Sequence, residues 1–135
     1  YTLKALEQSR VYLCLEPLTP AETNFMNTAA EGAALCRRLA HPFVKLHLDV
    51  KAMSAEAAPT PDVIRANTEF FHHFHANDPN KRGPGFGPTD FKPIFKALRD
   101  VNYTGWVSVE VFDYSPDPDT IASESIRYMR ECAAG

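Results

Sequence analysis

Phe70 to Phe91 reads FFHHFHANDPNKRGPGFGPTDF. An aromatic run carries His72, His73 and His75, and passes at once into Asp78, Lys81, Arg82 and a Gly/Pro-rich loop. Strand side chains alternate between faces, so His73 and His75 share one face and His72 takes the other. The stretch reads as a buried strand that delivers imidazoles to a site at its carboxyl end, under a long loop. The plainer reading is a polar strand end with surface histidines. Carboxylates at the corresponding ends of three other strands weigh against it.

Working outward, every other segment falls into alternation with this strand. Tyr1 to Arg10 reads as the last turns of a helix, and Val11–Glu16 (VYLCLE) as a short strand stopped by Pro17. A helix is expected over Phe25–Ala40, capped by Thr23 or Asn24, with Phe25, Ala29, Ala33 and Cys36 on its apolar stripe. Phe43–Asp49 (FVKLHLD) is the second strand, and a short helix is expected near Asp62–Glu69 before the third, Phe70–Ala76. A helix over Phe91–Asn102, a strand over Gly105–Phe112 and a helix from Asp119 to about Cys132 complete the order. Strict alternation with short connections implies right-handed βαβ units and a parallel sheet. The expected fold class is α/β, a TIM (β/α)8 barrel of which residues 1–135 supply about four units as one incomplete domain. A complete barrel takes roughly 250 residues. A flavodoxin-like sheet is the rival, but Pro-Leu-Thr-Pro, not a glycine-rich phosphate loop, follows the first strand.

Composition narrows the function. A net charge of −3 opposes a general nucleic-acid or membrane surface, and no apolar run is long enough to span a bilayer. Cys14, Cys36 and Cys132 are odd in number and lack CxxC spacing, which suggests free thiols in a reducing compartment such as the cytoplasm. The chain opens on Tyr1, so an upstream targeting segment stays open.

The chemistry sits on one parity of each strand. Counting by twos gives Tyr12, Cys14 and Glu16; then Lys45, His47 and Asp49; then His73 and His75; then Trp106, Ser108 and Glu110. An open sheet covered by helices on both faces should not carry this much charge on one parity. A barrel mouth does, because catalytic residues project there from carboxyl strand ends. Glu16, Asp49, His75 and Glu110 end four successive strands and can converge on one cation. Three carboxylates and an imidazole suit Mn²⁺, Mg²⁺ or Co²⁺, with Zn²⁺ also open. Taken singly, each carboxylate also reads as a solvated loop charge or a helix cap.

The blocks LEPLTPAETNF, VKLHLDVKAM, HFHANDPNKRGPGFGPTDF and GWVSVEVF resemble the sugar phosphate isomerase/epimerase family of xylose isomerase-like barrels, with D-tagatose and D-psicose 3-epimerases among its members. The resemblance covers nearly the whole chain and matches the last four strands of the family's barrel, its C-terminal half. It implies a metal, Mn²⁺ first, held by Glu16, Asp49, His75 and Glu110, with Glu16 and Glu110 doubling as the acid/base pair. It implies a small sugar, phosphorylated or not, as substrate. One Glu would remove a proton next to a carbonyl and the other return it, the enediolate being stabilised by the cation. Metal ligation should keep both glutamates ionised. Lys81 and Arg82 fall where the family meets substrate hydroxyls or phosphate, or are solvated loop charges. His73 is a further substrate-side candidate, although it and His47 also read as hydrogen-bonded interior residues.

Two departures bear on specificity. Family members often continue the second strand's Asp to a His that contacts substrate; here that position is Ala52. The family often has Arg where this chain has Lys81. Inosose-type dehydration on the same metal site remains an alternative. A nuclease of the endonuclease IV type is disfavoured by Ala52, by the lack of any His after His75, and by net acidity. An inactive half-barrel is the third alternative. Four units alone leave two exposed strand edges, so the expected partner is a second copy or the N-terminal half of the barrel, with no nucleic acid or membrane.

Overall fold

A computed structural model describes residues 1–135. Four strands, β1 (Leu13–Leu15), β2 (Val44–Asp49), β3 (Phe71–Ala76) and β4 (Val107–Val109), pair in parallel in chain order. Around them run α1 (Thr2–Ser9), α2 (Ala29–Leu39), α3 (Val50–Met53), α4 (Thr60–Ala66), α5 (Lys92–Asp100) and α6 (Pro118–Ala134). Unbroken sequential order is that of a (β/α)8 barrel wall, whereas a doubly wound sheet reverses order at a switch point. β1 and β4 each keep one unpaired edge. They are also shorter than the alternation of their sequences predicts, because each is held on one side only.

β2 separates the two faces. Val44, Leu46 and Leu48 are essentially unexposed and join Ala33, Cys36, Ile64 and Phe74 in the core between sheet and helices. Lys45, His47 and Asp49 take the other face. α2 lies close on this strand: a Cβ on Gly32 would come within 2.5 Å of Leu46 Cδ1.

Three local details differ from expectation. α2 starts at Ala29, not Phe25, because Thr28 and Glu31 form a reciprocal capping box. Phe25 is 66% exposed, outside the apolar stripe, and Met26 breaks any earlier turn with φ 57°. α3 is an unexpected single turn, begun where the Asp49 carboxylate accepts the Ala52 N–H at 2.8 Å. Third, the β2–β3 register slips by one residue: Leu46 faces Phe71 but His47 faces His73, leaving His72 as the extra residue. His72 therefore does not enter the helix-side core. It is exposed, with its ring 4.0 Å from that of Tyr12.

The long loop after β3 is pinned from within. Asp78 is wholly buried, its N–H donates to the Arg82 carbonyl (2.9 Å), and its carboxylate accepts the Thr89 N–H (3.1 Å). A Cβ on Gly87 would lie 2.1 Å from Asp78 Cγ, so the loop closes over the carboxylate only with glycine there.

Candidate metal centre

Parallel register brings the strand ends level. Asp49 on β2 faces His75 on β3, and His75 faces Ser108 on β4. Glu16 follows β1 by one residue and Glu110 follows β4 by one. One ligand atom from each of Glu16, Asp49, His75 and Glu110 lies within 4.8 Å of the others. His75 Nδ1 is at their centre, 3.5 Å from Glu110 Oε2, 3.9 Å from Glu16 Oε1 and 3.9 Å from Asp49 Oδ2. That nitrogen is buried and has no hydrogen-bond partner.

The two kinds of carboxylate are held differently. Asp49 is locked through both oxygens: Oδ1 accepts the Ala52 N–H, and Oδ2 accepts Asn77 Nδ2 at 2.6 Å. Asn77, itself 1% exposed, accepts the Lys51 N–H on its carbonyl oxygen at 2.8 Å. It thereby ties the end of β3 to the turn after β2. Glu16 and Glu110 are half-buried and bound by no such bonds.

Electrostatics follow from the crowding. Burial, then the Asp49 and Glu110 charges, push the Glu16 carboxyl up to about 7, against a smaller pull from Lys51. Burial also raises Asp49, opposed by its two hydrogen bonds. Lys51 is the nearby cation, but its ammonium is paired with Glu22 and lies 5.8 Å from the centre of the Phe112 ring. Three carboxylates, an unpartnered ring nitrogen and an engaged lysine make a donor set that fits a hard or borderline divalent cation.

His47 and His73 lie deeper along the strands. His47 Nδ1 is 3.7 Å from Glu16 Oε2, and burial followed by the neighbouring His75 and His73 pushes its pKa down to about 3. His73 is half-buried, its ring centre 5.1 Å from that of His75. Lys81 and Arg82 do not join the cluster. Lys81 is exposed, with φ 70°, and its carbonyl accepts the N–H groups of Phe112 and Asp113. Arg82 Nε is 3.2 Å from Asp113 Oδ2. A hollow of about 520 Å³ lies at the amino ends of β3 and β4 beside Phe71, Tyr103 and Trp106, and includes none of the four clustered residues. Sequence reasoning passed over Asn77 and Lys51. The signal for Asn77 was an amide two residues after a strand-end histidine, where a side chain can reach the neighbouring strand's carboxylate.

A parallel sheet in sequential order with its acidic and imidazole residues at the carboxyl mouth defines a TIM-barrel protein. The chain belongs to the xylose isomerase-like TIM barrel family, whose model matches residues 1–132. It is 40% identical over 125 residues to D-psicose 3-epimerase of Agrobacterium fabrum, covering 93% of this chain and 42% of that protein. It is 27% identical to 3-dehydro-D-guloside 4-epimerase of Escherichia coli, covering 97% of this chain and 52% of that one. Among solved structures, a D-psicose 3-epimerase determined in the presence of D-fructose superposes with a TM-score of 0.87 at 28% identity, over 98% of this chain and 55% of that one. The chain thus spans about half the length of the relatives it matches. No helix is long and apolar enough to cross a membrane.

Two outcomes test this geometry. Without a cation, the fold keeps a proton on Glu16 that the unfolded chain releases, so folded stability falls as pH rises from the ordinary 4.5 to about 7. Glu16→Gln removes that loss. The melting temperature of the variant minus that of the parent should therefore widen between about pH 5 and about pH 7.5. Saturating Mn²⁺ should reverse the gap by stabilising the parent; a gap independent of pH contradicts the crowding. Asn77→Ala should cost about 1–3 kcal/mol in denaturant unfolding. By calorimetry it should also weaken Mn²⁺ binding about 10- to 100-fold, and unchanged affinity would show that Asn77 does not position Asp49.

Proposed function

We propose that the chain carries the proton-transfer half of a divalent-metal-dependent ketose epimerase. The observation that supports this best is the convergence of Glu16, Asp49, His75 and Glu110, from four strands, within 4.8 Å. These four would hold the ion, Mn²⁺ first, which when bound supplies Lewis-acid stabilisation of the negative charge developing on the substrate oxygen.

The protein's own groups divide the remaining work. Asp49, bonded through both oxygens, is a positional ligand and poorly placed to exchange protons. Glu16 and Glu110 follow the two outer strands, so they face the mouth from opposite sides with oxygens free of protein hydrogen bonds. One is suited to take the proton from the carbon beside the ketone and the other to return it from the opposite face. Of the residues marked for substrate, exposed Lys81 is free to meet a hydroxyl, while Arg82 is engaged by Asp113 and steadies the loop. His73 lies below the four and shapes the floor. Ala52 offers only a methyl group and a backbone N–H already given to Asp49, so hydroxyl selection on that side differs from members with a histidine there. Four further β/α units, from the same polypeptide or a second copy, would pair the free edges of β1 and β4 and supply the facing wall.

Solvent exchange tests the reading. Mn²⁺-loaded protein in deuterium oxide should place one deuterium on the carbon next to the carbonyl of D-psicose or D-fructose, read by NMR. Glu16→Gln and Glu110→Gln should each slow exchange by about 10²- to 10⁴-fold, and Lys81→Ala should chiefly raise KM. Exchange that survives both glutamine variants would contradict the assignment, as would its absence from metal-loaded protein with every ketose tried.

A further inference from the structure

Below the four strand-end residues lies a second group of donors. His47, His73 and His75 each offer one ring nitrogen, and the three nitrogens lie within 4.8 Å of one another. The rings meet edge to face, with centres 4.0 Å apart for His47 and His75, 5.0 Å for His47 and His73, and 5.1 Å for His73 and His75. His47 is 6% exposed and its Nε2 is buried without any partner. An unpaired polar atom in a core costs about 1–3 kcal/mol unless something else satisfies it. The register slip is what builds this group, since it sets His73 opposite His47.

We propose that His47, His73 and His75 form a second, imidazole-only site for a late first-row divalent cation, competing with the carboxylate site for His75. Three imidazoles favour Cu²⁺, Ni²⁺ or Zn²⁺, whereas oxygen-rich donors suit Mn²⁺ and Mg²⁺. A neutral imidazole has one lone pair, because its other nitrogen carries the proton. His75 therefore serves one cation at a time. A late-row ion seated on the three rings withdraws the one nitrogen ligand from the carboxylate cluster and releases the ion held there. Resting on the proposed activity, this makes such ions inhibitors that act through a site overlapping the activating one at His75.

Electron paramagnetic resonance with Cu²⁺ as probe tests this without reference to sugar turnover. One equivalent of Cu²⁺ should show coupling to three nitrogens and should release bound Mn²⁺, seen as the free-ion signal. His73→Gln should reduce the pattern to two nitrogens and weaken Cu²⁺ binding at least tenfold, while Mn²⁺ affinity changes less than about twofold and reports that the variant is folded. His47→Asn is a second variant with the same expected loss, and His72→Ala should leave the three-nitrogen pattern intact. Coupling to a single nitrogen, Cu²⁺ bound without release of Mn²⁺, or an unchanged pattern in both His73→Gln and His47→Asn would overturn the proposal. Failure of Mn²⁺ to bind the parent chain would count against the carboxylate site alone, because the Cu²⁺ pattern is read separately.

Discussion

The pairing of Asp49 with His75 across β2 and β3 is the constraint on which the rest depends. It sets the carboxyl ends of the two central strands level, and parallel neighbours then carry Glu16 and Glu110 to the same height. A slip of one more residue would turn His75 away from the mouth and replace it with a core residue, because side chains alternate with a period of two. The existing slip below it sets His73 opposite His47 and His75 opposite Asp49, which brings both to the mouth side and leaves His72 exposed. Burial of Leu46, Leu48 and Phe74 on the opposite face holds this register in place.

Charge gives the register its chemical meaning. Burial at the mouth, and after it repulsion from Asp49 and Glu110, pushes the Glu16 carboxyl up to about 7 in the absence of a cation. Burial raises the Asp49 carboxyl as well, but the Ala52 N–H and the Asn77 amide oppose that rise, and Glu16 has no such hydrogen bonds. Hydrogen bonding thus distinguishes Asp49, held through both oxygens, from Glu16 and Glu110, although all three are carboxylates near one imidazole.

Much of this was legible in the residues. Strand parity placed Glu16, Asp49, His75 and Glu110 together because period-two alternation and chain-order pairing are local consequences of parallel β/α units. The start of α2 was misread because Phe25 fits a helical stripe by spacing, while the Thr28–Glu31 capping box, a stronger signal, lay three residues on. The turn α3 was missed because its cause is Asp49, a residue that reads first as a strand end. The His72 placement failed for a different reason: register slips depend on the partner strand, and no single strand's sequence displays them. Asn77 and the Asp113 hold on Arg82 join segments 28 and 31 residues apart, which neither spacing nor composition reveals.

Whether four strand ends make one cation site can be read by anomalous diffraction from crystals of the protein soaked in Mn²⁺. One dominant peak is expected within bonding distance of a carboxylate oxygen from each of Glu16, Asp49 and Glu110 and of a ring nitrogen of His75. A peak elsewhere on the chain, or none at this cluster in crystals that hold Mn²⁺, would contradict it.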